Sequence, residues 1–304
     1  MRVYRPFRTL KKEHYRKSQE DGPMSELPKV SVVIATRNRA AHLKRSLNRL
    51  FEDDYPNREL VIVDKASTDG TVDLLKSYGN RITRWVSEPD EGEYFAYNKA
   101  LATSSGAIIK PMADDDLLRP GAIRLSVDYF ANHPETDIVF GQTAYWLEWD
   151  GEPTLIRESH MTDPSRLTLH HWLHWKQGVE SVAAFIRRRV FERIGPFSTV
   201  HSCGDLEFWA RAARHGMTMG VMPQVVVDYY RSDFHISAVK WEELIADIIC
   251  INREYGTSAD VLSWVLRKYI WVMPVRLVAG LCHTIGIHPV RTMLKWRAKL
   301  RQRR

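Results

Sequence analysis

Cysteine is scarce in this sequence, and its placement excludes the folds that depend on it. The 304 residues contain three cysteines, Cys203, Cys250 and Cys282, which lie far apart and form neither a CxxC pair nor a zinc-finger spacing. We therefore expect no disulfide framework. Unpaired thiols are typical of a reducing compartment, so the prediction is a cytoplasmic protein.

Long apolar runs are also missing. The most apolar stretch, 269–287, is interrupted by Pro274, Arg276 and His283, so it falls short of the about 18 uninterrupted apolar residues expected of a spanning helix. The beginning of the chain is basic and contains no apolar core of the kind found in secretory signals. We expect neither a transmembrane helix nor a secretory signal.

Glycine-rich phosphate loops are absent as well. The segment after the first predicted strand, Ala35-Thr36-Arg37-Asn38-Arg39, contains no glycine, and no GxGxxG follows a strand. A dinucleotide-binding fold is therefore excluded.

Acidic residues are nearly absent from both ends of the chain. The net charge is +7, and residues 1–20 and 288–304 each carry seven Lys/Arg, against two Glu and no acid respectively, so the part between them is net negative. A nucleic-acid-binding domain usually carries its basic residues on the folded body, so no nucleic-acid partner is expected. Basic tails suit an anionic membrane surface, with solvated tails as the alternative.

Apolar segments alternate with amphipathic ones from residue 30 onward. Short apolar runs predict buried strands, and apolar residues at three- and four-residue spacing predict helices. The predicted strands are 30–35, 59–64, 82–86, 107–112, 137–141 and 224–230; helices are predicted around 43–51, after 71, at 93–103, after 120, and at 185–194, 206–215, 239–255 and 258–272; residues 146–180 look irregular or partly helical. This order predicts an α/β fold with a mainly parallel twisted sheet, helices on both faces and a C-terminal helical appendage.

Acidic residues follow two of these strands. Asp64 closes the second strand, and Asp114-Asp115-Asp116 follow the fourth. In such sheets ligands bind outside the carboxyl ends of the strands. Adjacent carboxylates repel one another, and a divalent cation such as Mn²⁺ or Mg²⁺, which prefers hard oxygen ligands and substrate phosphates, relieves that repulsion. A solvated acidic turn that caps the next helix is the alternative.

Three segments carry a recognisable pattern: VSVVIATRNRAAHLKRSLNRL at 30–50, LVIVDKASTDG at 60–70 and SEPDEGEYFAYNKALATSSGAIIKPMADDD at 87–116. They resemble family 2 of the GT-A fold glycosyltransferases, and the resemblance extends to about residue 235. It implies a Rossmann-like GT-A fold. It also implies an enzyme that moves one sugar from a nucleotide-diphospho-sugar, a UDP-sugar above all, to a hydroxyl acceptor with the help of Mn²⁺ or Mg²⁺.

The resemblance also implies roles for single residues. The end of the first strand would contact the base and ribose. The end of the second strand would contact the nucleoside, and the end of the fourth strand would contact the sugar and the metal. The residues implied in binding the nucleotide sugar are Ala35, Thr36, Arg37, Asp64, Asn98 and Asp114, and the implied metal ligands are Asp115 and Asp114. Lys65 and Arg37 stand where the family often has Asp and Tyr, which leaves the nucleotide base open.

A later segment, CGDLEFWAR at 203–211, resembles the acceptor side of the family. An Asp at the start of an amphipathic helix supplies the catalytic base there, so Asp205 is the implied base and Glu207 is the reserve. A base that takes the acceptor proton during an inverting displacement typically contributes about 10²–10⁴-fold. Helix capping is the alternative role for both acids.

Histidines stand at two further places of interest. His235 lies where the family often has a His near the donor phosphates, so a contact with the metal or the diphosphate is implied. His170, His171 and His174 stand close together, but no complementary ligand set with zinc spacing follows. We therefore predict an aromatic-rich loop or helix that lines the acceptor side.

The chain divides into three predicted parts. Residues 1–28 form a basic extension, 29–237 the GT-A domain, with a nucleotide-sugar half (29–145) and an acceptor half (146–237), and 238–304 carry helices and a basic tail. The segment 269–287 is typical of an interfacial membrane anchor; packing on the domain or in a homodimer is the alternative. An anchor on the cytoplasmic face of the inner membrane would suit a lipid-linked acceptor, with a free saccharide as the other choice.

Two other classes of function stay open. A sugar nucleotidyltransferase also combines an α/β sheet with acidic metal ligands, but it would require a glycine-rich basic loop after the first strand. A non-enzymatic basic protein that binds membranes or nucleic acid would leave Asp114, Asp115 and Asp205 without a role. Synthesis of a surface polysaccharide or glycolipid is the favoured setting.

Overall fold

The computed structural model describes residues 27–149, 152–174, 178–231 and 241–267. The strands are β1 (Val30–Thr36), β2 (Arg58–Asp64), β3 (Arg84–Ser87), β4 (Ile108–Ala113), β5 (Leu117–Leu118), β6 (Ile138–Trp149), β7 (Glu152–Glu158), β8 (Ala184–Arg187) and β9 (Met219–Arg231). The helices are α1 (Ala40–Leu50), α2 (Thr71–Tyr78), α3 (Glu93–Thr103), α4 (Ala122–Asn132), α5 (Leu169–Leu173), α6 (Arg188–Ile194), α7 (Gly204–Arg214), α8 (Trp241–Tyr255) and α9 (Ser258–Arg267).

The strands form one sheet in the order β3-β2-β1-β4-β8-β6-β9-β5, with β7 paired to β6. The first four strands in this order are parallel. Strand β8 then runs antiparallel to β4 and β6, whereas β6 and β9 are parallel. The α/β fold class is confirmed, and the parallel order holds in the nucleotide-sugar half.

Both faces of the sheet are covered, because each central strand sends alternate side chains into two separate cores. Val33 and Val61 belong to one core together with α3 and α7. Val32 and Ile62 belong to the other core together with α1 and α4. Strands buried on both faces read as continuous β-branched runs, which is why the sequence signal for β1 and β2 was clear.

Two predictions for the acceptor half were only partly right: the helices Leu169–Leu173 and Arg188–Ile194 confirm the helical part, but two strands were missed. Residues 146–180 contain strand β7, and the segment 185–194 begins as strand β8 before helix α6. Phe185 is fully buried where β8 fills the space between β4 and β6, so pairing with distant strands overrides the helical spacing. Strand β7 alternates exposed and half-buried residues at the rim of the sheet, so it lacks an apolar run.

The helices α8 and α9 pack on the body of the protein. The Tyr255 hydroxyl donates to Glu207 Oε1 at 2.5 Å, and Trp264 Nε1 donates to the Leu173 carbonyl at 2.5 Å. The predicted helices 239–255 and 258–272 are therefore confirmed over the described part of each. The tails, the segment 269–287 and His235 lie outside the described residues. Among the described helices, none is long and apolar enough to cross a membrane.

Candidate active site

The carboxyl ends of β1, β2 and β4 bring the predicted donor residues together. Thr36 is the partner of Asp64 in the β1–β2 ladder, and Ala35 is the partner of Ala113 in the β1–β4 ladder. Asp114 follows Ala113 directly, and its Oδ2 accepts a 2.8 Å hydrogen bond from the Thr36 hydroxyl. The alignment of three parallel strands therefore produces the cluster.

Asp64 is fully buried and holds the turn after β2. Its Oδ2 accepts hydrogen bonds from the Ser67 amide at 3.0 Å and from the Ser87 hydroxyl at 2.6 Å, and the Ser67 hydroxyl donates to its Oδ1. The neighbouring turn after β1 is tied to this one, because the Asn38 amide donates to Ser67 Oγ at 2.7 Å. The two strand ends thus form one continuous rim.

Asp114 is buried beside a cation. Arg39 Nε lies 2.9 Å from Asp114 Oδ1, and the Arg37 backbone amide donates to the same carboxylate. Burial raises the pKa of Asp114 to about 6, although Arg39 and Thr36 act in the opposite direction. The side chain is therefore held in a site where a further positive charge would stabilise its ionised form.

Arg39, which the sequence reasoning missed, bridges the two predicted metal ligands. Its Nη2 donates to Asp115 Oδ2, while its Nε lies within ion-pair distance of Asp114 but is not aligned for a hydrogen bond within the described residues. The guanidinium thus neutralises two carboxylates without saturating them. Hard carboxylate oxygens held side by side fit Mn²⁺ or Mg²⁺.

Asp116 points away from this pair into the protein. It is almost completely buried, its Oδ2 accepts from the Ala113 amide at 3.1 Å, and its carbonyl accepts from the Ser46 hydroxyl at 2.6 Å. Burial and the charge of Asp115 raise the pKa of Asp116, whereas buried Lys110 acts in the opposite direction. Asp116 therefore belongs to the fold of the loop.

Asp205 is oriented at the start of α7 by two hydroxyl groups. Tyr94 donates to Oδ1 at 3.1 Å and Ser181 donates to Oδ2 at 2.7 Å, while Trp209 Nε1 donates to Ser181 Oγ at 2.8 Å. Burial raises the pKa of Tyr94 well above its usual range, so this phenol stays protonated as a donor. The Leu206 backbone amide also donates to Oδ1 at 2.8 Å, so Oδ2 is the oxygen that keeps a lone pair for another proton donor.

Glu207, the reserve base, is occupied by the fold. Its carboxylate pairs with Arg211 at 2.9 and 3.0 Å and accepts from the Tyr255 hydroxyl. Only 4% of Glu207 is exposed. The geometry therefore favours Asp205 over Glu207 as a residue that meets a substrate.

Glu93, also missed from the sequence, connects the two groups of acids. It is the first residue of α3, and its pKa is raised to about 7. The causes are the surrounding protein, which excludes water, and the charges of Asp205, Asp114 and Asp115. Tyr94, the residue after Glu93, donates to Asp205, so the start of α3 lies beside Asp205 and within electrostatic reach of Asp114 and Asp115.

Asn98 lies on α3 and holds the loop that precedes α7. Its amide nitrogen donates to the Phe197 carbonyl at 2.8 Å, and its amide oxygen accepts from the Phe197 amide at 3.0 Å. Both polar groups are thus used to hold the loop before α7 against α3. The predicted contact with the diphosphate-sugar stays a prediction.

An α/β sheet with acids at its carboxyl edge is typical of enzymes that hold a phosphorylated ligand through a cation. The chain belongs to glycosyl transferase family 2, whose model matches residues 31–195, more than half of its length. It is a glycosyltransferase. The putative teichuronic acid biosynthesis glycosyltransferase TuaG of Bacillus subtilis is 26% identical over 219 residues, which are 71% of this chain and 84% of TuaG.

Solved structures share the fold. S. aureus TarS 1–349 in complex with UDP-GlcNAc matches with a TM-score of 0.61 at 18% identity, over 80% of this chain and 73% of that chain. The mannosyltransferase PcManGT from Pyrobaculum calidifontis, in complex with GDP-Man and Mn²⁺, matches with a TM-score of 0.58 at 21% identity, over 95% and 85%. The implied GT-A fold is thereby confirmed.

Proposed function

We propose that this glycosyltransferase moves a single sugar from a nucleotide-diphospho-sugar, preferentially a UDP-sugar, to an acceptor hydroxyl by an inverting displacement. The observation that carries the proposal is the set of acids around the start of α3: Asp114 and Asp115 after β4, and Asp205, which accepts from Tyr94 next to Glu93. A donor complex with UDP-GlcNAc in TarS supports the choice of donor.

The strand ends would bind the nucleotide half of the donor. The buried Asp64 would accept from the nucleoside, and the exposed Arg37 at the end of β1 is free to approach the base or a phosphate. Thr36 positions Asp114, and Ala35 forms part of the rim between β1 and β4. Asn98 would act here by holding the loop that carries Asp205's helix.

Asp115 and Asp114 would hold the metal. A divalent cation bound there would neutralise charge on the diphosphate leaving group, which is Lewis-acid catalysis. The chemistry of the donor set fits Mn²⁺ or Mg²⁺, and PcManGT supports this choice because its structure contains Mn²⁺ with GDP-Man.

Asp205 would act as the base. Tyr94 and Ser181 fix the direction of its carboxylate, so a remaining lone pair can accept the acceptor's hydroxyl proton as the oxygen attacks the anomeric carbon. The C–O bond to the diphosphate breaks on the opposite side, which inverts the configuration. Glu207, tied to Arg211, would serve only the fold.

The acceptor is a saccharide or a lipid-linked saccharide in surface polysaccharide or glycolipid synthesis. The name of TuaG, a teichuronic acid biosynthesis enzyme, supports this setting. A lipid-linked acceptor would require a position on the cytoplasmic face of the inner membrane, and the basic residues at 1–20 and 288–304 are suited to an anionic surface.

The test is a panel of UDP-, GDP- and dTDP-sugars offered to the full chain with Mn²⁺, Mg²⁺ or EDTA. We expect one UDP-sugar to be hydrolysed slowly and to raise the melting temperature only when metal is present. A donor at about 100 times its Kd stabilises by about 2.7 kcal/mol. Asp115→Asn should lose this metal-dependent stabilisation.

Three outcomes would decide against parts of the proposal. If GDP-mannose alone is hydrolysed, the UDP choice is wrong. If EDTA leaves hydrolysis unchanged, the metal role of Asp115 is wrong. If no donor is hydrolysed or bound under any condition, the assignment of the cleft as a donor site is wrong.

Arg39 gives a second prediction for the same cleft. The Arg39 guanidinium bridges Asp114 and Asp115, so it competes with a divalent cation for the same oxygens. Arg39→Gln should therefore bind Mn²⁺ about tenfold more tightly without donor, which corresponds to about 1.4 kcal/mol. It should also be less stable without metal, because the two carboxylates then repel each other. Mn²⁺ binding is measured by electron paramagnetic resonance.

The matched control is Lys44→Gln. Lys44 is an exposed cation on α1, the helix that begins directly after Arg39, so its loss removes the same charge without touching the acids. We expect its Mn²⁺ affinity to equal that of the unaltered protein. Weaker Mn²⁺ binding by Arg39→Gln would mean that Arg39 supports the metal site instead of competing with the metal.

A further inference from the structure

His170 on α5 and His174, which caps the end of α5, acquire a partner that the sequence spacing does not reveal. His170 and His174 stand one helical turn apart, with ring centroids 4.5 Å apart. Asp260, on α9, lies beside them, and its Oδ1 is 2.7 Å from His174 Nε2. One ligand atom from each of the three residues lies within 4.8 Å of those of the other two.

His174 is the central group. It is 7% exposed, and its Nδ1 is buried without a hydrogen-bond partner among the described residues. The Asp260 carboxylate accepts from Nε2, and a move of that proton to the unpartnered Nδ1 would free Nε2 to act as a metal ligand. His170 is exposed, so the group is open to solvent on one side.

We propose that His170, His174 and Asp260 form a second metal site, separate from the donor site, that binds a first-row transition ion, Zn²⁺ above all. Two imidazole nitrogens and one carboxylate oxygen are a ligand set that Zn²⁺ accepts readily and Mg²⁺ does not. A water molecule completes the tetrahedron. When the ion binds, the bond from His174 Nε2 to the metal replaces the bond to its proton, and in a neutral imidazole that proton moves to Nδ1.

The position of the site indicates what the ion does. Helix α5 precedes the segment that carries Ser181, a hydrogen-bond partner of Asp205, and Leu173 on α5 accepts from Trp264 on α9. The second oxygen of Asp260 accepts from the Thr257 amide and hydroxyl, both at 2.7 Å, so the start of α9 is already ordered. A bound ion would fasten α9 to α5 and so hold the C-terminal helices on the acceptor side of the body.

The inference does not rest on the proposed sugar transfer, and its test uses no donor. Tag-free full-length protein is freed of metal by chelation and titrated with Zn²⁺ by calorimetry and with Co²⁺ by visible absorption. An Asp115→Asn background removes the predicted donor metal. We expect one Zn²⁺ to bind in that background, a rise in melting temperature on binding, and the absorption of tetrahedral Co²⁺.

Two variants separate this site from an ordinary hydrogen bond between His174 and Asp260. His170→Gln and Asp260→Asn should each weaken Zn²⁺ binding by at least about tenfold. His160→Gln, which removes another exposed histidine, should leave the affinity unchanged. His170 makes no contribution to the His174–Asp260 hydrogen bond, so its variant should keep its fold, as judged by circular dichroism.

Equal Zn²⁺ affinity in the unaltered protein and in folded His170→Gln would overturn the proposal. An absorption spectrum typical of octahedral Co²⁺ would also overturn it. So would the loss of Zn²⁺ binding in Asp115→Asn with His170, His174 and Asp260 intact. After any of these results, the His174–Asp260 contact would be a hydrogen bond that stabilises the fold and not part of a metal site.

Discussion

Replacement of Asp205 by Asn should lower kcat by about 10²–10⁴-fold with little change in the KM for the donor. The amide cannot take the acceptor's proton, but it keeps nearly the same shape: its oxygen can accept from one of the hydroxyls of Tyr94 and Ser181, and its NH2 group can donate to the other. The donor is bound on the other side of the cleft, so its affinity should persist. Initial rates with a saturating donor and a glycan acceptor measure the effect.

Glu207→Gln is the comparison variant. Because Glu207 is paired with Arg211 and Tyr255, its loss should lower the melting temperature while kcat per folded molecule changes little. The assignment of the base fails if Asp205→Asn retains full kcat, or if Glu207→Gln loses activity without losing stability. Donor hydrolysis in the absence of acceptor uses water in place of the acceptor and serves as an independent measure of donor binding.

The donor half of the cleft was predictable because it depends on strand ends. Asp64 and Asp114 follow buried β-branched runs, and parallel strands must end at the same edge of a sheet. Their neighbourhood therefore followed from order along the chain alone. The placement of Asp205 needed the family resemblance, since α7 follows a segment whose strands were not recognised.

Arg39 and Glu93 were missed for a common reason. Each stands at the beginning of a helix that follows a strand of the parallel sheet, and each acts on residues distant in sequence. A signal was present: helix starts after parallel strands face the same edge as the acids. What the sequence could not supply was the direction of each side chain, which the turns after β1 and β3 set.

Polar residues at functional positions can also serve the fold. Asn98 was expected near the diphosphate-sugar, yet both halves of its amide pair with the Phe197 backbone. Sequence patterns identify the residue type and its neighbourhood, but the partner of an amide or carboxylate depends on loops brought close by the tertiary fold. The same reason explains why His170 and His174 gave no metal signal, since Asp260 arrives from the second C-terminal helix.

Asp116 differs from the other two aspartates of the acidic run, because it stabilises the fold. Asp115 is half-buried at the cleft, whereas Asp116 and Lys110 are buried in the protein. Lys110 Nζ donates to the carbonyls of Pro111 at 2.8 Å and Val182 at 2.5 Å, and burial lowers its pKa while the charge of Asp116 raises it. Each group therefore depends on the other to remain charged inside the protein.

Asp116→Ala should destabilise the protein by about 1–3 kcal/mol, because the Ala113 amide loses its acceptor and the buried Lys110 loses a nearby opposite charge. Urea unfolding measures the loss. The double variant Asp116→Ala/Lys110→Met should recover part of it, since replacing both buried charges by apolar groups is often tolerated.

Asp54→Asn, a change at an exposed acid, is the control and should alter the free energy of unfolding by less than about 0.5 kcal/mol. If the losses of Asp116→Ala and Lys110→Met simply add in the double variant, the two buried charges do not stabilise each other. Recovery in the double variant would instead show that much of the cost of Asp116→Ala comes from the buried Lys110 charge left without an opposite charge. If that charge also disturbs the loop on which Asp114 and Asp115 face the cleft, the double variant should regain Mn²⁺ affinity together with its stability.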